Sequence, residues 1–325
     1  MLRVGILGAG WIAAEHVAAL GKRDDVEVVA IADLDRARAE ALAPPGAQVL
    51  GSRDELLELD LDALWVCVPP LGHREAAVAA LERGVNVYLE KPIAREVEDA
   101  RAIVAAAKAG DAICAVAYQW HATEVLDDLR RALDGQEVAL LVGRSIGPTG
   151  TRPWFLDRKQ GGGNILERGS HQIDLMRTIA GEVVRVQAAA SGVALAQAVG
   201  ARGDIEDAAT LVLHFESGAL GTIVVAWLRE GQPGTYGVDV VASEATLSLT
   251  LDPEFALRGS SRGERIEARG SQHPFERSIA RFVDAVKERD PSLVVTTPAD
   301  ALRTLAVANA CEQALASGET VAVPS

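Results

Sequence analysis

The sequence predicts an α/β chain: an N-terminal doubly wound parallel sheet, then a C-terminal α+β part with a mostly antiparallel sheet. Three observations predict it. Continuous apolar runs alternate with helical segments through the first third, as parallel strands covered on both faces do. After about residue 120, strand-like runs follow one another with no long helix between them, some joined by turns as short as Ser217-Gly218 and Ser243-Glu244. Of the 325 residues 49% are apolar and only 4% aromatic, which suits tightly packed helices on a sheet.

Residues 2–7 form a short apolar strand, and 12–20 a helix stopped at Gly21. Residues 26–32 are the second strand, and 36–42 a helix closed by Pro44-Pro45. A short helix at 54–59 precedes the strand 63–68, which ends at Pro69-Pro70. The helix 74–83 has Gly84 at its C-terminal cap. The strand 85–89, the helix 97–109 stopped by Gly110, and the strand 112–117 complete the first pattern. Beyond it come a charged helix at 123–133, a strand at 137–145, a polar loop at 146–160 and a helix at 164–179. The antiparallel sheet takes 183–193, 208–215, 219–228, 236–242 and 245–251, and helices at 275–289 and 299–317 follow. The expected domains are 1–120 and 121–325.

The net charge of −14 argues against a nucleic-acid partner. It leaves room for an anionic cofactor, because helix N-termini bind phosphate locally. No segment approaches the roughly 18 apolar residues of a membrane span. The apolar run after Arg3 is broken by glycines and ends at Glu15-His16, unlike a secretion signal. Cys67, Cys114 and Cys311 are far apart and read as buried, reduced thiols of a cytoplasmic protein. No Cys/His cluster has metal-ligand spacing, so no metal is expected.

Gly8-x-Gly10-x-x-Ala13 follows a strand and opens a helix. Gly8 permits the tight turn, Gly10 lets backbone approach a pyrophosphate, and Ala13 lets helix and strand pack closely. The N–H groups near Trp11 and Ile12 would face the phosphates. Asp33 ends the second strand 20 residues beyond Ala13, where a carboxylate binds the ribose 2′-OH of NAD. It disfavours NADP, a preference softened by Arg36 and Arg38 nearby. Pro69 and Pro70 turn the chain under the cofactor or simply end the strand, and His73 opens the next helix as a structural or a ligand-side residue. Lys91, in Glu90-Lys91-Pro92, projects from the carboxyl end of a strand, where it could touch both nicotinamide and substrate. To accept a proton near neutrality its pKa must fall from about 10.4.

The segment Gly161-Gly162-Gly163-Asn164-Ile165-Leu166-Glu167-Arg168-Gly169-Ser170-His171-Gln172-Ile173-Asp174 supplies a second set of candidates. At about 100° per residue, Glu167, His171 and Asp174 fall within roughly 60° on one helical face. Asn164 is placed to cap this helix, with Glu167 at the capping-box position.

Together these motifs resemble the glucose-fructose oxidoreductase / inositol dehydrogenase (Gfo/Idh/MocA) family, over almost the whole chain. The resemblance implies a Rossmann domain followed by a domain with an open-faced sheet that often forms the subunit interface. It implies hydride transfer to NAD from a sugar, inositol or related polyol hydroxyl. Lys91 and His171 would assist proton transfer, Glu167 would orient or tune them, and Asp174 would bind a substrate hydroxyl. Glu90 and Gln119 fall on the cofactor side. The loop 149–160, with Arg152, Trp154 and Arg158, would line the substrate pocket. Two departures leave the substrate open: Glu167 where many members have Asp, and Tyr118-Gln119-Trp120-His121 where many have an Asn-x-Arg-like stretch. A homodimer or homotetramer is expected, because both sides of the strand 219–228 are mostly apolar. The competing readings are glycoside cleavage by transient oxidation on bound NAD, and a non-catalytic cofactor-binding sensor.

Overall fold

The computed structural model describes residues 1–148, 153–193, 205–228 and 231–324. They form two compact units: Met1–Tyr118 with Phe275–Leu302, and Gln119–Pro274 with Arg303–Ser325.

Unit 1 is built on six parallel strands: β1 (Leu2–Leu7), β2 (Val26–Ala32), β3 (Gln48–Leu50), β4 (Ala63–Val66), β5 (Asn86–Leu89) and β6 (Cys114–Val116). Their order is β3-β2-β1-β4-β5-β6. The direction of winding reverses between β1 and β4, which puts the ligand crevice of such sheets outside the carboxyl ends of these strands. Leu7 pairs with Ala32 on one side and Val66 on the other. Gly8, Asp33 and Cys67 therefore leave the sheet side by side. Every residue of β4 is buried, as its unbroken apolar run requires. Trp65 stacks on Tyr88 at 5.3 Å between ring centroids, and Phe282 meets Trp65 edge-on at 5.2 Å.

Phe282 lies on the helix Pro274–Glu288, whose Ser278 hydroxyl is 2.8 Å from the Tyr88 hydroxyl. This corrects the division at 121–325. The apolar stripe Ile279, Phe282, Val283 and Ala285 completes the core of unit 1, because the large aromatic faces of β4 and β5 are what that stripe has to cover.

Unit 2 carries a nine-stranded sheet. In chain order its strands are β7 (Val138–Pro148), β8 (Val183–Ser191), β9 (Ala208–Phe215), β10 (Leu220–Leu228), β11 (Thr235–Ala242), β12 (Ala245–Asp252), β13 (Ala256–Ser261), β14 (Glu264–Arg269) and β15 (Val321–Ala322). The order is β14-β13-β12-β11-β7-β10-β9-β8-β15. Every pairing is antiparallel except β7 with β10. β7 runs to Pro148, three residues beyond the expected strand end, because Ile146 and Pro148 pair with Ala226 and Leu228. β3, β13, β14 and β15 have no counterpart among the strands that the sequence predicts. β3 spans only 3 residues, and β14 alternates charged residues with Ile266 and Ala268 at half-exposed positions, where burial imposes no apolar period.

One face of this sheet is covered and the other open. Gly221, Ile223, Val225 and Trp227 of β10 are buried, while Leu220, Thr222, Val224 and Ala226 are half-buried or exposed. Leu140 and Val241 are also exposed. All three cysteines are free and buried. Burial pushes the thiols up, Cys114 to about 12. Among the described residues no helix is long and apolar enough to cross a membrane.

Candidate active site

In unit 1 the glycine turn is held from three sides. The Gly8 N–H donates to Ala32 O at 2.8 Å, and the Cys67 N–H to Leu7 O at 2.8 Å. Gly8 has φ +97°, and a Cβ there would lie 2.6 Å from Cys67 O, so only glycine fits. Asp33 accepts from the Ala9 N–H at 2.7 Å and from the Asp35 N–H at 2.8 Å. Its carboxylate thus fixes the turn at the position expected for a ribose ligand.

A Cβ at Gly10 would meet nothing within 4 Å. The helix Trp11–Leu20 starts there with no side-chain cap and no acidic residue in its first turn, so its positive end is open to an anion. Ala13 is fully buried, and Ile12 packs against the core. Trp11 is 62% exposed. The residues present therefore fit a dinucleotide pyrophosphate.

Two residues expected near the cofactor have internal work instead. His73 is fully buried, with Nδ1 2.9 Å from Pro92 O and Nε2 2.9 Å from Val68 O. Burial holds its imidazole below the ordinary histidine value, against these carbonyls, which favour protonation. His73 thus braces the turn after β4 against the turn after β5, and the expected cofactor contact gives way to that role. Glu90 is buried with one oxygen 2.7 Å from Nε2 of the fully buried His16, and the other accepts from the Lys91 N–H at 3.1 Å. Its carboxylate anchors Lys91 rather than facing a ligand. Lys91 itself is half-buried at the end of β5. Pro69 is exposed, whereas Pro70 is buried in a 3-10 turn. His16 was missed, although it shares the core face of its helix with Ala13 and Leu20; a histidine on such a face needs a buried partner.

In unit 2 the segment expected to be one helix is two. Ile165–Gly169 is a π turn, and Ser170–Ala180 is α-helical. The 100° register that aligned Glu167 with His171 and Asp174 is interrupted, since a π turn advances each residue less. Asn164 makes no cap hydrogen bond; its amide donates to Asp207 O at 3.1 Å. The capping is done by Glu206, which accepts from the Ile165 N–H at 2.8 Å and also pairs with Arg158.

Asp174, expected to bind a substrate hydroxyl, is 1% exposed. Its Oδ1 accepts from the Thr304 hydroxyl at 2.8 Å, and its Oδ2 is 2.6 Å from His121 Nε2. Both oxygens are taken, so the structure gives it an internal role. His171 is half-exposed, with its ring 4.8 Å from that of Trp120. Trp120 and His121 belong to the 3-10 turn Gln119–Ala122, which Gln119 opens, half-exposed. Tyr236 lies 6.1 Å from Trp120, and its hydroxyl accepts from Arg168, whose guanidinium sits 4.4 Å over Trp227. Trp154 packs its ring on Phe155 at 4.1 Å. Arg152 lies outside the described residues.

Residues 2–118 match the model for an oxidoreductase family with an NAD-binding Rossmann fold. Residues 137–248 match the GFO/IDH/MocA C-terminal domain. Myo-inositol 2-dehydrogenase of Thermotoga maritima is 28% identical over 73% of this chain and 71% of its own. A 1,5-anhydro-D-fructose reductase of Ensifer adhaerens is 26% identical over 99% of both chains. The WlbA dehydrogenase from Bordetella pertussis, solved with NADH and UDP-GlcNAcA, shares the fold with a TM-score of 0.82 at 22% identity, over 100% of this chain and 99% of that one.

Proposed function

We propose that this chain, which belongs to the GFO/IDH/MocA oxidoreductase family, transfers a hydride between a sugar, inositol or related polyol hydroxyl and NAD. Two relatives of similar sequence are named for inositol and for 1,5-anhydro-D-fructose, which supports that substrate class. The observation that carries the reading is the anchoring of Lys91: a half-buried lysine at a strand's carboxyl end, its backbone fixed by a carboxylate clamped to a buried histidine.

When bound, NAD would supply the hydride acceptor for the carbinol carbon. Gly8 and Gly10 give the pyrophosphate its turn, and Asp33 binds the adenosine ribose and repels a 2′-phosphate. Lys91 and His171 share the acid-base work: the hydroxyl proton passes to one of them as the carbonyl forms. Glu167 tunes His171. Trp154 lines the substrate pocket.

The test is an NADH-release screen over sugars and polyols, followed by Lys91→Ala and His171→Ala. Each should lower kcat by about 10²–10⁴-fold with NAD affinity largely kept. Near-wild-type kcat across the pH range in either variant removes that residue from the mechanism. The outer sheet face, with Leu140, Leu220 and Val241 exposed, supports a homodimer or homotetramer built on it. Light scattering that finds a monomer at micromolar concentration overturns this part.

A further inference from the structure

Two neighbouring residues of the turn Gln119–Ala122 meet the helix Ser170–Ala180 at successive levels. Trp120 lays its indole on the His171 imidazole, with 4.8 Å between centroids and 34° between planes. His121 reaches Asp174 Oδ2 at 2.6 Å and Thr178 Oγ1 at 2.7 Å. His171, Asp174 and Thr178 follow at i, i+3 and i+7, one face of an α-helix. Asp174 is held in turn by Thr304, whose hydroxyl also accepts from Arg177 Nη1 at 2.7 Å. The turn is therefore pinned through His121 one level below the ring that it touches through Trp120.

A second ring also meets the indole. Tyr236 meets it edge-on, at 67° between planes, and the Tyr236 hydroxyl is bound by Arg168. A histidine on a half-exposed helix face has several staggered χ1 wells and a broad χ2. A flat, fixed aromatic face selects among them; an aliphatic neighbour would fill the space without setting the plane.

We propose that Trp120 is a positioning residue for His171. Its indole, fixed by the His121–Asp174 anchor, holds the imidazole in the orientation from which it exchanges the substrate proton. The proposal rests on the acid-base reading of His171. It gives Asp174 a function exerted through the turn rather than by touching substrate.

The experiment has two arms. The first is NMR of the whole chain without cofactor or substrate, with the His171 signals assigned by their absence in His171→Ala. An indole face over the ring shields the carbon-bound imidazole protons, so Trp120→Leu should move them downfield, and Trp120→Phe should move them only partly. The second arm is kinetic. Trp120→Leu should lower kcat by about 10²-fold, the effect of a misplacement on the order of 1 Å, with KM and NAD affinity little changed. Trp120→Phe should recover most of that loss. If Trp120→Leu does not fold, His121→Gln loosens the anchor and keeps the indole, and both readings should shift part of the way.

Unshielded His171 protons in the wild-type chain overturn the proposal and leave the acid-base reading standing. So does a lost shift in Trp120→Leu with kcat and its pH profile unchanged. Full kcat in His171→Ala overturns the acid-base reading, and this proposal with it.

Discussion

Replacing each of the two turn glycines by alanine should produce opposite signatures. At Gly8 the backbone has φ +97°, and the new Cβ would stand 2.6 Å from Cys67 O and 2.8 Å from Cys67 C. The backbone conformation alone costs an L-residue about 1–2 kcal/mol. The contact is with backbone, which moves only if the exit of β4 moves. Together they should destabilise Gly8→Ala by about 2–4 kcal/mol. In a unit of this size that lowers Tm by roughly 4–16 °C. Gly10 differs: its φ of −84° suits any residue, and its Cβ would meet nothing within 4 Å. Gly10→Ala should leave the protein without NAD as stable as before, or up to about 1 kcal/mol more so. The methyl group would then occupy the space that the pyrophosphate approaches. A tenfold loss of NAD affinity, about 1.4 kcal/mol, is the least expected. The assay is thermal unfolding of both variants with and without NAD, beside an NAD titration. NAD at a hundred times its Kd should raise wild-type stability by about 2.7 kcal/mol, and Gly10→Ala should lose at least about half of that gain at the same concentration. Wild-type NAD affinity in Gly10→Ala refutes the cradle. A wild-type Tm in Gly8→Ala refutes the close approach to Cys67.

Asp33 should make NAD preferred over NADP in kcat/KM, and Asp33→Asn, which removes the charge but keeps an acceptor for the turn, should narrow the gap; a tenfold preference for NADP in the wild type refutes this. The Asp25 carboxyl is held well below the usual range by hydrogen bonds from Arg23 and Lys287. Its side chain is 32% exposed, so Asp25→Asn should cost only about 0.5–1 kcal/mol at neutral pH. A depressed folded-state pKa stabilises above the unfolded value of about 3.9 and ceases to as pH falls through the folded one. The deficit measured by urea unfolding should therefore be constant from pH 7 to 5 and shrink in strong acid; a deficit that grows in acid contradicts it. For Glu167→Gln, the pH–rate profile should move to lower apparent pKa with KM unchanged. A raised KM with an unmoved profile assigns Glu167 to substrate instead, and no change in either leaves it a structural residue.

Most of the parallel sheet is legible because glycine or proline punctuates many of its elements locally, as Gly21, Pro44-Pro45, Pro69-Pro70, Gly84 and Gly110 do. Parallel register also fixes which strand ends are neighbours, so Gly8 and Asp33 could be placed together from their positions alone. The π turn could not be read. Over the five residues Ile165–Gly169 a slower advance per residue leaves no mark on an apolar pattern, yet it interrupts the single register that the sequence assumes for Glu167, His171 and Asp174. Internal pairings were hidden for a related reason. His16 and Glu90 are 74 residues apart in sequence, and nothing local in either segment names the other. The resemblance assigns Asp174 to substrate, while the partner that holds it, His121, stands in the stretch where the sequence departs from the family pattern.

The return of Phe275–Leu302 to unit 1 has a consequence for biosynthesis. When Tyr118 leaves the ribosome, the six strands of the first sheet exist, but the flat faces of Trp65 and Tyr88 have no Phe282 to cover them. The whole strand-rich middle of the chain must be translated before that cover arrives, a wait on the order of ten seconds or more at ordinary elongation rates of roughly 5–20 residues per second. During that interval the nascent nucleotide-binding unit exposes aromatic surface and is a target for chaperones. A fragment ending at Tyr118 would keep that surface bare permanently and should aggregate, whereas adding residues 275–302 in trans should rescue its solubility.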